Sequence, residues 1–372
     1  MKRCLVHLYS VPYVLPTLAM LATIHPTERV STTILFQLPW ATREALAEML
    51  AIARELLAGN PLVERVEGLT EEELKSANLR EFLGTAFDEF YYNHDAVGIV
   101  CRKLAATYPR AKRICMGDGF GMFLGHGYVE SYQGKASLAK RIRDRFFGSR
   151  ELPPVRPDVA ALVLPVDASG NGLRGLQLVV GRKEAFLQAI HDCHANARAL
   201  REHMHALLAR TEGRARYLLL GEPYAEAGHV RPEREVDMFC EIVRSYCKPG
   251  SAIIVKPHPL ETPGKAVHIG AALGSDYEVI AVDARFDRYP IEIWIELVRA
   301  CTVICTSYAV LSLKYAHGID VVQPMDEAFI EKWTVPTHQK WTRDGLRLYM
   351  EPLAKLGDWD GRSVLWSAQP RP

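Results

Sequence analysis

Short apolar runs alternate with longer amphipathic segments along the first half of the chain. Apolar β-forming runs cover Cys4–Leu8 and Thr32–Leu38, and segments with helical spacing follow them at Leu15–Ile24 and Thr42–Ala58. Strands that alternate with helices are typical of βα units, whose strands pair in parallel. The pattern continues with a helix at 96–109, a strand and glycine turn at 112–119, strands at 160–166 and 176–181, and a long polar helical run at 183–209.

The same alternation begins again near residue 210. It predicts strands within 215–228, 251–259, 278–283, 302–307 and 320–324, and helices at 235–247, 291–301 and 309–318. We therefore expect an α/β chain with two Rossmann-like, doubly wound domains that face a central cleft. Their predicted bounds are 1–210 and 211–345, and a tail at 346–372 is expected to pack back on the first domain.

Composition and charge exclude several classes of protein. Lys and Arg number 45 against 44 Asp and Glu, so the chain lacks the overall charge that attracts nucleic acid. No apolar stretch reaches the roughly 18 residues of a membrane span. Polar residues and prolines interrupt the N-terminal apolar segment, unlike a signal peptide. Eight cysteines without a Cys-x-x-Cys pair are expected to be reduced thiols, as in a cytoplasmic protein.

One predicted strand ends in an unusual sequence, "IIVKPHPLE" at Ile253–Glu261. Three apolar β-formers lead directly into Lys256, and His258 follows between two prolines that stiffen its backbone. A cation and a titratable ring at the carboxyl end of a parallel strand suit the binding of an anion such as a phosphate. A basic strand–loop junction without a ligand is the alternative interpretation.

Other polar residues also follow predicted strands. Asp118, Glu222 and Ser307 each come directly after an apolar run. Because ligands of doubly wound sheets bind beyond the carboxyl ends of the strands, these residues are candidates for one site. No Asp-x-Asp motif follows a predicted strand, and no His/Cys cluster has metal spacing, so we expect chemistry without a metal or a cofactor.

Three motifs together resemble those of a known family. Along the chain they are "GDGFG" at 117–121, "KPHP" at 256–259 and "TSYAVLS" at 306–312. In this order they are similar to motifs of the bacterial sialyltransferases, in particular the polysialyltransferase-type family of capsule and lipooligosaccharide biosynthesis. The resemblance implies a GT-B fold. It also implies an inverting, metal-independent enzyme that transfers sialic acid, or a related nonulosonic acid, from a CMP-linked donor to a glycan hydroxyl.

The resemblance also implies roles for individual residues. Asp118 matches the general base that accepts the acceptor's proton, and His258 matches the His-Pro residue that contacts the CMP phosphate. Ser307 and Ser312 match a late motif that binds the same phosphate, and Glu292 matches a position near the cytidine or ribose. Further donor-binding candidates are Gly221, Glu222, Lys256, Pro257, Pro259 and Thr306.

The chain departs from the family where the base is expected. The first acidic position of the acidic-acidic-Gly motif is Gly117, which leaves Asp118 as the only carboxylate there. A plain turn is the structural alternative for this motif. His126 and Glu130 are the nearby residues that could take the role of the base.

A basic segment at 132–154 stands apart from the neutral remainder of the chain. The candidates on the acceptor side are Gly119, His126, Lys140, Arg141 and Arg143. The segment is expected either to be a solvated basic helix or to receive an acidic or lipid-linked glycan at the inner face of the membrane.

Three other functions remain open at this stage. A CDP-glycerol or CDP-ribitol phosphotransferase would use a similar scaffold. It would require a second catalytic histidine in the first domain, for which His126 is a candidate. A hexosamine 2-epimerase also has two Rossmann-like domains, but "GDGFG" gives it no support. A glycan-binding protein that has lost its base would be compatible with Gly117.

Overall fold

The computed structural model describes residues 1–37, 42–93, 99–116, 152, 155–164, 177–307 and 309–356. The contacts divide the chain into two compact units, one that ends at Asn196 and one that begins at Ala197. The two units are described separately below.

The first unit is built on a parallel sheet of seven strands. The strands are β1 (Lys2–Leu8), β2 (Val30–Phe36), β3 (Val63–Gly68), β4 (Glu89–Tyr92), β5 (Lys112–Cys115), β6 (Val159–Leu162) and β7 (Gln177–Val180). Their order in the sheet is β3-β2-β1-β4-β5-β6-β7, and every pair is parallel. All seven residues of β2 are buried, as expected for an inner parallel strand covered on both faces.

Helices connect these strands. They are α1 (Val14–Ile24), α2 (Arg43–Leu56), α3 (Glu71–Ser76), α4 (Leu79–Leu83), α5 (Ile99–Thr107) and α6 (Lys183–Asn196). Local sequence fixes where some of them begin: the Thr42 side chain accepts a hydrogen bond from the Ala45 amide, and Thr70 forms a capping box with Glu73. Two paired strands, β3 and β4, were missed in the sequence because both are short and rich in Glu, Arg or Tyr rather than aliphatic residues.

The second unit contains a smaller parallel sheet. Its strands are β8 (Arg216–Leu220), β9 (Ala252–Lys256), β10 (Glu278–Ala281) and β11 (Thr302–Ile304), in the order β10-β9-β8-β11. Its helices are α7 (Arg198–Arg210), α8 (Pro232–Tyr246), α9 (Lys265–Leu273), α10 (Ile295–Ala300), α11 (Ala309–His317), α12 (Glu327–Trp333) and α13 (Pro336–Leu356). β9 lies between β10 and β8, and all five of its residues are buried, so the chain that follows leaves the sheet from an inner strand.

Several predicted elements differ from the structure. The helical run at 183–209 is divided into α6 and α7 by the non-helical backbone of Ala197. The imidazole of His203 in α7 stacks on Phe286 at 4.8 Å, so α7 packs within the second unit. The predicted helix at 291–301 is a 3₁₀ turn followed by α10, and the strand predicted at 320–324 is a single bridge between Ile304 and Val322.

The tail predicted at 346–372 overlaps the last helix. Residues 346–356 continue α13, and the rest of the tail lies outside the described residues. No helix among the described residues combines the length and the apolar character needed to cross a membrane.

A buried polar network lies at the amino end of the first sheet. The Glu89 carboxylate, about 5% exposed, accepts a hydrogen bond from the Tyr91 hydroxyl (2.7 Å) and pairs with His25 Nε2 (2.9 Å) and Lys2 Nζ (3.3 Å). Burial disfavours the charge of Glu89, but the hydrogen bonds from Tyr91 and His25 outweigh it and lower the pKa of the carboxyl. The network therefore holds an ionised carboxylate between β1, β4 and the end of α1.

We predict that Glu89→Gln lowers the free energy of unfolding at pH 7 by about 1–3 kcal/mol, since buried partners lose a charged acceptor. Because the pKa of Glu89 is lower in the folded state than its ordinary value of 4.5, the ionised carboxylate stabilises the fold above that pH. This stabilisation is lost as the pH falls through the folded-state pKa. Urea unfolding should therefore show a shallower loss of stability between pH 5 and pH 3 in the variant than in the wild type.

The control is Glu278→Gln, which removes a partly exposed carboxylate that pairs with Arg210 and Arg214. Exposed pairs contribute about 0–1 kcal/mol, so this variant should unfold almost as the wild type does. Equal effects of the two substitutions would contradict the role assigned to the buried network.

Candidate functional site

The carboxyl ends of β8, β9 and β11 meet at one edge of the second sheet. The Gly221 amide donates a hydrogen bond to the Lys256 carbonyl (2.8 Å), which joins the first residue after β8 to the last residue of β9. On the other side of β8, the chain after β11 brings Ser307 near Glu222, where the Ser307 hydroxyl lowers the pKa of the Glu222 carboxyl. The edge thus gathers three segments predicted from the sequence: 221–222, 256–259 and 306–307.

Lys256 places a buried cation beneath this edge. Its side chain is about 8% exposed, its Nζ donates a hydrogen bond to the Asp287 carbonyl (2.8 Å), and Nζ lies 5.6 Å from the centre of the Trp294 ring. Burial lowers the pKa of Lys256 to about 8, and the surrounding carboxyl groups oppose that shift. The ammonium is therefore charged at neutral pH but weakly solvated, which strengthens its attraction for an anion.

The backbone of the His258 loop fixes the proton position on the His258 ring. The Leu260 amide donates a hydrogen bond to His258 Nδ1 (3.2 Å), so the neutral ring carries its proton on Nε2. Burial, and then the charge of Lys256, lower the pKa of His258 to about 4. At neutral pH the imidazole is an uncharged Nε2–H donor, which can hydrogen-bond a phosphate oxygen.

Glu222 and Ser307 form the neighbouring part of the edge. Burial raises the pKa of Glu222 to about 7, against the hydrogen bond from Ser307 and the charges of Lys256 and Lys265. Ser307 lies two residues before α11, and its hydroxyl also accepts a weak hydrogen bond from the Ala309 amide (3.4 Å). The carboxyl of Glu222 is therefore close to half protonated at neutral pH, which limits the negative charge that an incoming anion meets.

Glu292 is held below the edge by Ser312. Glu292 is about 4% exposed and Ser312 is fully buried, and the Ser312 hydroxyl donates a hydrogen bond to Glu292 Oε1. The Nε2 atom of His317 lies 2.9 Å from the Glu292 carbonyl, which fixes the backbone of the same residue. Burial raises the pKa of Glu292, and the bond from Ser312 counters this rise. In the described structure Ser312 supports Glu292, and its predicted contact with a phosphate stays a prediction.

The remaining candidates fall into two groups. Thr306 is buried at about 6% exposure, and Pro257 and Pro259 flank His258 in partly buried positions. The acceptor-side candidates lie outside the described residues: Gly119, His126, Lys140, Arg141 and Arg143, together with Asp118, Gly117 and Glu130.

Sequence analysis missed a cluster of charged residues that borders His258. Lys265, the first residue of α9, pairs with Glu235 (2.8 Å) and Glu226 (3.4 Å) and lies 3.8 Å from Glu261. A signal existed in the sequence. A lysine directly after "PG" begins a helix at the end where the dipole disfavours a cation, and such a residue needs nearby carboxylates.

Within the described residues, one group of side chains could hold a metal ion. The ligand atoms of Cys4, His25 and Glu89 lie within 4.8 Å of one another in the first unit. These atoms already form the network around Glu89, and the Lys2 ammonium adjoins it, so hydrogen bonding and ion pairing account for the arrangement.

Two parallel sheets with connecting helices, in two Rossmann-like units of one chain, define a GT-B protein. The structure resembles the UDP-GlcNAc 2-epimerase of Neisseria meningitidis with a TM-score of 0.52 and 13% identity, over 98% of this chain and 96% of that chain. It is also similar to the GT-B domain of a sialyltransferase from Photobacterium damselae, with a TM-score of 0.44 and 12% identity over 94% and 98% of the two chains. At such identities the likeness concerns the fold.

The sequence of the second unit carries the family resemblance. A family model described as alpha-2,8-polysialyltransferase matches residues 184–322, a segment that contains His258, Glu292 and Ser307. The resemblance predicted from three short motifs is confirmed for this segment, and the enzyme class is that of a glycosyltransferase. No curated protein matches the chain in sequence.

We predict that Ser312→Ala destabilises the protein by about 1–3 kcal/mol, because the buried Glu292 carboxylate loses its donor. Urea unfolding at pH 7 measures the effect. The control is Ser251→Ala, which removes another buried hydroxyl of the second unit, one that donates to the Lys248 carbonyl. Equal losses in the two variants would contradict the support that Ser312 is assigned to give Glu292.

Proposed function

We propose that the protein is an inverting, metal-independent glycosyltransferase. It would move a sialic acid, or a related nonulosonic acid, from a CMP-linked donor to a hydroxyl group of a glycan. The observation that carries the proposal is the pair of Lys256 and His258 at one sheet edge. A buried ammonium lies beside an imidazole whose backbone hydrogen bond leaves Nε2–H as its donor. The match with the polysialyltransferase model over the same segment supports the choice of donor.

These residues suit the departure of CMP. As the bond between the anomeric carbon and the phosphate oxygen breaks, negative charge grows on the phosphate. Lys256 supplies a positive charge, and His258 and Ser307 supply hydrogen bonds. The uncharged Nε2–H of His258 donates a hydrogen bond to a phosphate oxygen, and this bond strengthens as negative charge grows on the leaving phosphate. Glu292 is assigned to the ribose or cytidine of the donor.

The acceptor half of the reaction is assigned to Asp118. The acceptor oxygen forms a bond to the anomeric carbon while CMP leaves from the opposite face, and the proton of the acceptor hydroxyl passes to the Asp118 carboxylate. His126 and Glu130 are the alternatives for the base. The basic segment at 132–154 is proposed to receive an acidic or lipid-linked glycan at the cytoplasmic face of the membrane.

Release of nucleotide from three donors tests the donor assignment. The protein is incubated separately with CMP-sialic acid, CDP-glycerol and UDP-N-acetylglucosamine, and the released nucleotides are separated by chromatography. CMP is expected from the first donor alone, and CMP should stabilise the protein by about 2.7 kcal/mol at a hundredfold excess over its Kd. Better protection by CDP-glycerol or by UDP would overturn the assignment in favour of the phosphotransferase or the epimerase.

Paired substitutions separate the two proposed halves of the reaction. Asp118→Asn should lower turnover by about a hundredfold to ten-thousandfold, the range for loss of a general base, with little change in CMP affinity. His258→Ala should weaken both CMP binding and turnover, because it removes a phosphate contact. Calorimetry with CMP and a transfer assay measure the two effects.

The matched control is His268→Ala, which removes an exposed imidazole ten residues further along the chain. It should retain both properties of the wild type. Normal turnover in Asp118→Asn would dismiss this residue and direct the search for the base to His126 and Glu130.

A further inference from the structure

Lys265 occupies a position that local physical rules disfavour. It is the first residue of α9, where the helix dipole is positive, and its side chain is about 8% exposed. Gly264, with a positive φ of 90°, turns the chain into the helix just before it. A cation here is unfavourable because it is removed from water and because it faces the positive end of the helix dipole. Its surroundings must therefore stabilise it strongly.

Three carboxyl groups from three different segments surround the Lys265 ammonium. Glu235 lies on α8, at 2.8 Å; Glu226 lies on the loop after β8, at 3.4 Å; and Glu261 lies on the loop after β9, at 3.8 Å. The Phe239 ring of α8 adds a contact at 5.8 Å. One ammonium therefore joins a helix and both loops that leave the carboxyl edge of the sheet.

Two of these carboxylates also hold the loop backbones directly. Glu226 accepts a hydrogen bond from the Thr262 amide (2.6 Å), which crosses from one loop to the other. Glu235 accepts a hydrogen bond from the Ala225 amide (3.0 Å), which ties the β8 loop to α8. The ion cluster and these amide bonds form one connected network, in which Lys265 is the shared cation.

Glu261 brings the loops into close contact. Its side chain is about 1% exposed, and neither carboxyl oxygen has a hydrogen-bond partner. The carboxyl lies against the Cα of Gly221, where an added Cβ would come within 2.3 Å of Glu261 Oε1. Burial raises the pKa of Glu261 to about 8, and the charge of Lys265 opposes this rise. Gly221 thus permits the close approach of the two loops, and the Lys265 ammonium lies 3.8 Å from the carboxyl that Gly221 faces.

We propose that Lys265 is a positioning residue of the donor site, which fixes the loop that carries Glu222 and the loop that carries His258 in one arrangement. The inference rests on the proposed function for the identity of the ligand, but the contacts themselves do not depend on it. An apolar side chain could fill the same space without the cost of removing an ammonium and its acidic partners from water. What apolar packing cannot supply is the fixed direction of several charged contacts, which phosphate-binding loops require.

The experiment compares Lys265→Met and Lys265→Arg with the full-length wild type. The control is Lys332→Met, which removes a lysine of the same unit from an exposed pair with Glu241. Two measurements are made well below the unfolding temperature of each variant. The first is the Kd of CMP by calorimetry, and the second is hydrogen–deuterium exchange, without ligand, in peptides that cover 221–228 and 257–264.

Lys265→Met should bind CMP at least tenfold more weakly and should exchange faster in both loops. Lys265→Arg should recover most of the affinity, because it restores the charge, and Lys332→Met should match the wild type. A residue that only stabilises the unit would lower the unfolding temperature without this change in Kd. Affinity within twofold of the wild type in Lys265→Met, or no recovery in Lys265→Arg, would overturn the proposal.

Two further cases are covered by the same design. If Lys265→Met does not fold, Glu235→Gln replaces it in the experiment. This substitution keeps the shape of the Glu235 side chain and the acceptor for the Ala225 amide, but removes one negative charge beside Lys265. The same criteria for CMP affinity and exchange then apply. If the wild type binds no CMP, the proposed function fails and exchange alone decides. Faster exchange in both loops would support the positioning role, and unchanged exchange in either loop would overturn it.

Discussion

The structure of the second unit depends on how it accommodates buried charge at the carboxyl edge of its sheet. Lys256 and Lys265 lie there among several carboxyl groups, which include Glu222, Glu261 and Glu292. Such a collection is stable only if the ammonium groups and carboxylates pair closely and some carboxyls retain their protons. The raised pKa values of Glu222 and Glu261 are the expected response, and they leave the edge near neutrality rather than strongly negative.

That balance bears directly on which anion the edge can receive. Lys256 and Lys265 supply positive charge at this edge, whereas His258 is neutral at ordinary pH. The carboxyl groups around the two lysines offset part of their charge. A site of this kind offers a focused hydrogen-bond donor and one weakly solvated ammonium rather than a broad positive field. On electrostatic grounds, such a site is matched to an anion of low charge rather than to one of high charge.

The sequence was informative where the chemistry of a residue is local. The runs that became β1, β8 and β9 are apolar and end in turn residues, so their type and their carboxyl ends were predicted well. Contacts between residues far apart in the chain could not be predicted from it: the buried hydroxyl of Ser312, which the motif matches to a phosphate contact, donates a hydrogen bond to Glu292, twenty residues away in the chain. The cluster around Lys265 was missed for the same reason, since Glu226, on the loop after β8, and Glu235, on α8, approach Lys265 only through tertiary packing.

The break at Ala197 shows a related limit. The sequence predicted one continuous helix across this residue, because no proline or glycine occurs at the junction of α6 and α7. The two helices nevertheless pack in different units, α6 against α1 and α7 through His203 against Phe286. Tertiary packing of two apolar faces thus outweighed the local preference for one continuous helix, which is the usual outcome when helical stability comes mainly from buried contacts.

The likeness to the epimerase has the same physical basis. Packing reproduces the fold at 13% identity, while a few buried charges decide the chemistry, and these must be tested residue by residue.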